Sequence, residues 1–389
     1  MIPETIPPII DFFNDIKDPR IERKKCYPLI EVIVISLLSV MAFAKGWEDI
    51  ELYGKTKEAW LKQFLPLKNG IPKHDVYRRV FNRLDPREIE RCFMAWVRAI
   101  KRDQEREVIA IDGKTVRGSF NIRKESKAIH LVSAWATENR LVFAQVKTEE
   151  KSNEITAIPT LLEMIVLKGC IVTIDAMGCP YKIANQIVNA GADYVFSLKE
   201  NQETLYDDVK TYFEGVDFAY PDPLIKTSST FEVDHGRQER RNHAVTDDVS
   251  WLVAAHPAWK TIKSIGVVES IRTVGETVST ELRYYISSLP ANPVVFGTSV
   301  RAHWGIENSL HYVLDVAFGE DACRIKSGNA PENIAFIRKI ALSLARSDTD
   351  SKRSIASRIK QMAWSEQYLE QLLFQSGFVD QTEASAPIH

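Results

Sequence analysis

Carboxylates are the residues of this chain whose placement could do chemistry. Asp112 follows the apolar run Val108-Ile109-Ala110-Ile111 and precedes Gly113-Lys114. Asp175 repeats the device after Ile171-Val172-Thr173-Ile174, ahead of Ala176-Met177-Gly178. Each puts a negative charge at the end of a short, β-branched segment of the kind that forms a strand. Alone, an Asp-Gly pair at a strand end is commonly just a turn. Two such strands lying parallel as neighbours, however, would set their carboxylates side by side. Close carboxylates repel, and the relief is a raised pKa or a bound cation. Neither Lys nor His is expected to accompany Asp175 closely, so a divalent cation is the economical partner. Hard oxygen ligands without thiolate or zinc-like Cys/His spacing select Mg2+, with Mn2+ able to substitute. A third acid is offered by His303, Glu307, His311 and Asp315, which recur every four residues and on a helix would share one stripe. The plain alternative for that stripe is a solvent face or a structural hydrogen-bond network.

Elements must exist to hold these acids in place. From Pro8 to Asp103 apolar residues recur at helical spacing, broken at Pro28, Gly46, Gly70, Pro72 and Pro86. Within this stretch, Lys57–Phe64 and Asp75–Leu84 read as two helices, the second N-capped by Asp75. Arg78, Arg79 and Arg83 on the second helix suit a DNA-facing element, or equally the solvated face of a helical bundle. After Arg106 the pattern changes to strands: Val108–Asp112, Ile129–Thr137 and Leu141–Thr148. A helix over Ile155–Val166, a strand over Cys170–Asp175, a helix over Tyr181–Asn189 and a strand over Tyr194–Leu198 follow. Three antiparallel strands and then two parallel additions is the order of an RNase H-like sheet.

The gap from Asp175 to Glu307 is about twice that from Asp112 to Asp175, too long for one strand and a loop, so an inserted subdomain is required. It reads as β-rich, with hairpins at His235-Gly236 and Gly275-Glu276. Helices resume over Thr298–Phe318, Pro331–Ala345 and, as one or two elements, Ser354–Gln375. The expected fold class is therefore α/β: an RNase H-like mixed sheet core with a β-rich insertion and an N-terminal all-helical domain. Its domains are a helical DNA-binding or associated unit over 1–105, a catalytic domain over 106–348 with the insertion at about 207–292, and a helical tail over 349–389. The end, Thr382–His389, reads as disordered.

Composition narrows the classes. The 389 residues carry a formal net charge of only -2, so any nucleic-acid face must be local. Five scattered cysteines without a CxxC pair look like reduced core residues. No basic region followed by an apolar run opens the chain, so a cytoplasmic location is expected. The most hydrophobic stretch, Leu29–Ala44, is interrupted by Glu31, Ser36 and Ser39 and falls short of the roughly 20 residues that span a bilayer. It reads as a buried helix, and no membrane association is expected.

At its acids the chain resembles the DDE transposases of bacterial insertion sequences, the group of the H-repeat-associated proteins above all. The resemblance rests on Ile111-Asp112-Gly113-Lys114-Thr115-Val116-Arg117-Gly118-Ser119, on Thr173-Ile174-Asp175-Ala176-Met177, and on Arg301-Ala302-His303-Trp304-Gly305-Ile306-Glu307-Asn308-Ser309-Leu310-His311. It runs from near Phe12 to about Leu373. It implies that Asp112, Asp175 and Glu307 form the catalytic, metal-binding triad, with the insertion between the second and third acids. Related transposases often place a Tyr, an Arg and a Lys around the glutamate. Here those positions hold Val300, His303 and Leu314, and Arg301, His303 and His311 are the candidates to substitute.

The implied activity is a Mg2+-dependent transposase that cuts and joins double-stranded DNA, at transposon ends and target, as a homodimer in the DNA-bound complex. Asp112 would bridge two ions roughly 4 Å apart, with Asp175 and Glu307 each holding one. Lys114, Arg117 and Lys199, beyond strand ends, would neutralise phosphates. Arg237 and Arg241, in the basic hairpin His235–Arg241, would contact terminal DNA. Two other readings remain open: an RNase H-like nuclease without strand transfer, and a catalytically inactive, transposase-derived DNA-binding protein.

Overall fold

The computed structural model of the chain describes residues 8–100, 106–120, 127–148, 154–175, 180–234, 236–348 and 351–374. The expected disordered end falls outside them. The chain divides into two compact units, one of Met1–Asp103, Val116–Ile129 and Tyr312–His389, the other of Gln104–Thr115 and His130–His311. In chain order, the first helices are α1 (Ile9–Phe13), α2 (Leu29–Met41), α3 (Trp47–Thr56), α4 (Glu58–Leu61), α5 (His74–Arg83) and α6 (Pro86–Ile100). There follow β1 (Val108–Thr115), β2 (His130–Ala136), β3 (Leu141–Thr148), α7 (Glu154–Glu163), β4 (Ile171–Ile174), α8 (Tyr181–Asn189), β5 (Asp193–Leu198) and α9 (Glu203–Tyr212). The insertion supplies β6 (Lys226–Asp234), β7 (Arg237–Thr246), α10 (Ser250–Ala255), β8 (Ser264–Val274) and β9 (Thr277–Ser287). The chain ends with α11 (Pro293–Gly305), a π-helical turn (Ile306–His311), α12 (Tyr312–Phe318), α13 (Ala330–Ser347), α14 (Ile355–Trp364) and α15 (Glu366–Phe374).

In the helical unit the apolar run from Leu29 becomes α2, buried along almost its whole length. It packs against α13, whose other neighbours include α5, α6 and α14. Among the described residues no helix is long and apolar enough to cross a membrane. The Asn333 side chain of α13 donates to the carbonyls of Phe81 and Leu84, pinning the end of α5. Two local expectations change. The helix expected over Lys57–Phe64 shortens to the single turn of α4. Asp75 is not the N-cap of α5; Lys73 stands there, and Asp75 lies in the first turn, where its carboxylate meets Arg78 and Arg79. That placement suits the positive end of the helix dipole. α5 buries Tyr77, Val80 and Phe81 and turns Arg78, Arg79 and Arg83 outward.

The second unit is built on one nine-stranded sheet of order β3-β2-β1-β4-β5-β9-β8-β7-β6. β1, β2 and β3 are antiparallel neighbours, and β4 and β5 add in parallel. This is the RNase H-like order the sequence predicted. The insertion does not form a separate sheet: β9 pairs antiparallel with β5, and the β9-β8-β7-β6 meander continues the core sheet outward. Its hairpins fall where expected, between β6 and β7 and at Gly275, although His235 lies outside the described residues. α11 lies on one face of this sheet, where Phe296 and Val300 pack with Val108, Ile171, Val195, Val268 and Tyr285. Burying such apolar groups contributes about 1.5–3 kcal/mol per large side chain, which makes the platform under the acids stiff.

Candidate active site

β1 is buried from Val108 to Ile111, and its parallel register with β4 ends at the pair Ile111 and Ile174. The next residue on each strand is an aspartate, so Asp112 and Asp175 emerge together at the carboxyl ends of two adjacent parallel strands. Asp112 does not end its strand, however. β1 continues to Thr115 because β2 pairs along its full length, which leaves Lys114 inside the strand rather than beyond it.

Asp175 is held from the neighbouring strand: the Ser197 hydroxyl donates to one carboxylate oxygen at 2.9 Å and the Lys199 ammonium to the other at 3.0 Å. The expectation that no lysine accompanies Asp175 is thus corrected. Lys199 arrives one β-α-β unit later in sequence and one strand away in space, beyond the reach of a reading of local neighbours. Its ammonium meets Asp175 while the side chain remains exposed to solvent.

Glu307 comes from the π turn after α11. Asn292 caps that helix, its side-chain oxygen accepting from the Val294 and Val295 amides, and Pro293 fills the first turn. Ile306 and Leu310 are fully buried while Glu307 faces the cleft that Asp112 and Asp175 also line, a cavity of about 580 Å³. The π turn widens the helical repeat, and His303 and Glu307 still line the same cleft. His311 stays at the site, its Nδ1 3.4 Å from an Asp112 oxygen. His303 instead shares a hydrogen bond of 3.0 Å with the Thr173 hydroxyl in the cleft wall. Desolvation pushes its pKa down to about 4, so it is a neutral ring in the cleft wall. Asp315 belongs to the helical unit.

Electrostatics mark Asp112 as the focus. Burial, opposed by the Gly113 amide and reinforced by the charges of Glu154, Glu307 and Asp175, lifts its carboxyl to about 6. Glu154 is a fourth acid that sequence reasoning missed. It heads α7 and pairs with His130 Nε2 at 2.7 Å, while His130 Nδ1 bonds with the Thr115 hydroxyl at 2.9 Å. This pair sits directly behind β1, where a Cβ on residue 113 would overlap both Glu154 and His130. Gly113 is therefore a packing requirement of the strand that carries Asp112.

Among the described residues no three His, Cys, Asp or Glu side chains already stand as a closed metal cluster. The donor set nevertheless suits a hard divalent cation. It consists of oxygen ligands, and a cation would offset both the burial and the neighbouring negative charges that raise Asp112.

The proposed basic contacts fare unevenly. Arg117, in the helical unit, is exposed and 3.7 Å from Asp321. Arg241 is only 11% exposed and is bound to both Glu232 and Glu239; Arg237 pairs with Glu239, and Arg301 with Glu232. These arginines form an ion-paired lattice on one sheet face instead of a freely solvated basic hairpin.

Strand order and paired aspartates place the chain among RNase H-like proteins. It belongs to the Transposase DDE domain family, whose model matches residues 103–344, and the DDE_Tnp_1-associated model matches residues 10–97. The chain is 40% identical to "Putative transposase YncI" of Escherichia coli O157:H7 over 95% of each chain. It is 38% identical to "H repeat-associated putative transposase YhhI" of Escherichia coli K12, over 95% of this chain and 98% of that one. The H-repeat resemblance read from the sequence therefore holds. Among solved structures, a piggyBac transposase synaptic complex with hairpin DNA aligns over 98% of this chain and 80% of its own, with a TM-score of 0.46 and 10% identity.

Proposed function

We propose that the protein is a DNA transposase that cleaves and joins phosphodiester bonds at insertion-sequence ends, with Asp112, Asp175 and Glu307 as its metal-holding acids. The observation that carries this reading is that the three carboxylates line one cleft, in which burial first, and the neighbouring acids after it, lift Asp112 to about 6. Bound Mg2+, or Mn2+ in its place, would supply the Lewis-acid charge for in-line displacement at phosphorus.

The chain's own groups prepare that site. Ser197 fixes the orientation of Asp175, and Lys199 balances its charge while its long stem leaves it free to turn to a DNA phosphate. Above pH about 6 Asp112 is ionised and able to hold a cation, with His311 beside it. Neutral His303 and Thr173 wall the cleft without adding a competing charge. Double-stranded DNA is the partner; bringing two ends together calls for a homodimer in the DNA complex, acting in the cytoplasm at the nucleoid.

The test is incubation of the purified chain with Mg2+ and a linear duplex bearing the element's terminal sequence, together with a target plasmid. Joined products are the expected result. Cleavage without joining would move the nuclease reading ahead, and no cleavage in Mg2+ or Mn2+ would contradict the proposal.

A further inference from the structure

The strand register divides the outer part of the sheet into two faces of different chemistry. Cross-strand partners point to the same side. The pairs Phe231 with Arg240, Arg240 with Ile271, and Ile271 with Thr280 therefore define one face, largely apolar or uncharged. The alternating residues define the other. There Arg237 and Arg241 of β7, Arg272 of β8 and Arg283 of β9 line one groove of about 300 Å³, joined by Arg301 from α11. Four arginines of the β7–β9 sheet point one way, and Arg240, on the same strand as two of them, points the other and lies over Phe231.

Resting on the transposase reading, we propose that this arginine groove seats the phosphate backbone of the DNA that runs out of the acid cleft. Continuity is the first argument. The groove and the cleft share Glu281, Arg283, Tyr285, Val300 and Trp304 as walls, and the Arg283 guanidinium lies 4.5 Å over the Trp304 ring at their junction. A polymer cut at the carboxylates must leave the cleft, and this channel opens from it. Charge is the second. Among the described side chains five guanidinium groups face three glutamates, Glu232, Glu239 and Glu281, a positive excess in a chain whose net charge is -2. The glutamates orient the arginines in advance, and a guanidinium with five N–H donors can hold a carboxylate and a phosphate together. α11 ties the two sites, carrying Arg301 in the groove and running directly into the turn that bears Glu307.

The experiment is DNA binding as a function of salt, using a linear duplex of random sequence because phosphate contacts carry no sequence information. The wild type is compared with the double variant Arg237→Gln/Arg272→Gln and with Arg240→Gln on the opposite face. The double variant should lower the log–log salt slope by about one to two units, since each lost phosphate contact removes about 0.9. Arg240→Gln should keep the wild-type slope, and Arg237→Lys/Arg272→Lys should restore it. Unfolding curves for all variants should coincide. A wild-type slope in the double variant, or an equal drop in Arg240→Gln, overturns the groove while leaving the transposase reading standing. Failure of the wild-type chain to bind DNA at all overturns both.

Discussion

One sheet contains two kinds of strand. In β2 and β4 burial is continuous, residue after residue, and in β1 it is continuous from Val108 to Ile111, up to the aspartate. In β7, β8 and β9 burial is confined to the ends nearest the core and gives way outward to exposed or alternating positions. The inner strands are a frame that fixes carboxylates at one edge. The outer strands are an arm that displays charge on one side. The difference teaches that rigid placement and adaptable contact can share a hydrogen-bonded ladder when the chain varies burial along it.

That contrast can be broken first at glycines. Gly113→Val should destabilise the chain by about 3 kcal/mol, the upper end for overpacking, because a Cβ there meets the Glu154–His130 pair. In the arm, Gly275→Ala meets nothing within 4 Å and carries only the strain of its φ of 57°, about 1 kcal/mol. Denaturant unfolding of both variants checks the ratio; comparable losses would erase the distinction between frame and arm.

A smaller effect sharpens the electrostatic side. The Asp112 carboxyl stands near 6 in the folded chain, against about 3.9 when unfolded. It therefore binds its proton more tightly when folded. Its favourable contribution is full below pH about 4 and is lost as pH rises to about 6. Metal-free Asp112→Asn should accordingly be more stable than the wild type at pH 7, by about 2 kcal/mol after allowance for partial exposure. Its stability should also change less between pH 4 and 6. A less stable Asp112→Asn at neutral pH would show that burial and the neighbouring acids do not disfavour the Asp112 carboxylate.

The frame was legible in sequence and the arm's attachment was not. Uninterrupted β-branched runs announced β1 and β4, and β3 and α8 fall on the boundaries their patterns predicted. Continuous burial writes itself into composition. The pairing of β9 with β5 is a contact between distant segments with no local signature, and so is the approach of Lys199 to Asp175. The start of α11 at Pro293 did carry a signal, an asparagine cap followed by proline, although helical periodicity placed it later. The π turn is different: nothing between His303 and Asp315 marks the extra residue in the helical repeat, so the four-residue stripe was read as straight. Glu154 follows a run of polar and charged residues, and its approach to Asp112, by charge and through Gly113 and His130, joins segments distant in sequence.

The most direct test compares wild type and Asp112→Asn for binding and for Mg2+-dependent cleavage of the same terminal DNA duplex. The account predicts that cleavage falls to background while affinity is unchanged, because Asp112 serves the reaction and not the grip on DNA. Residual cleavage at the wild-type rate, or equal loss of binding and cleavage, would contradict it.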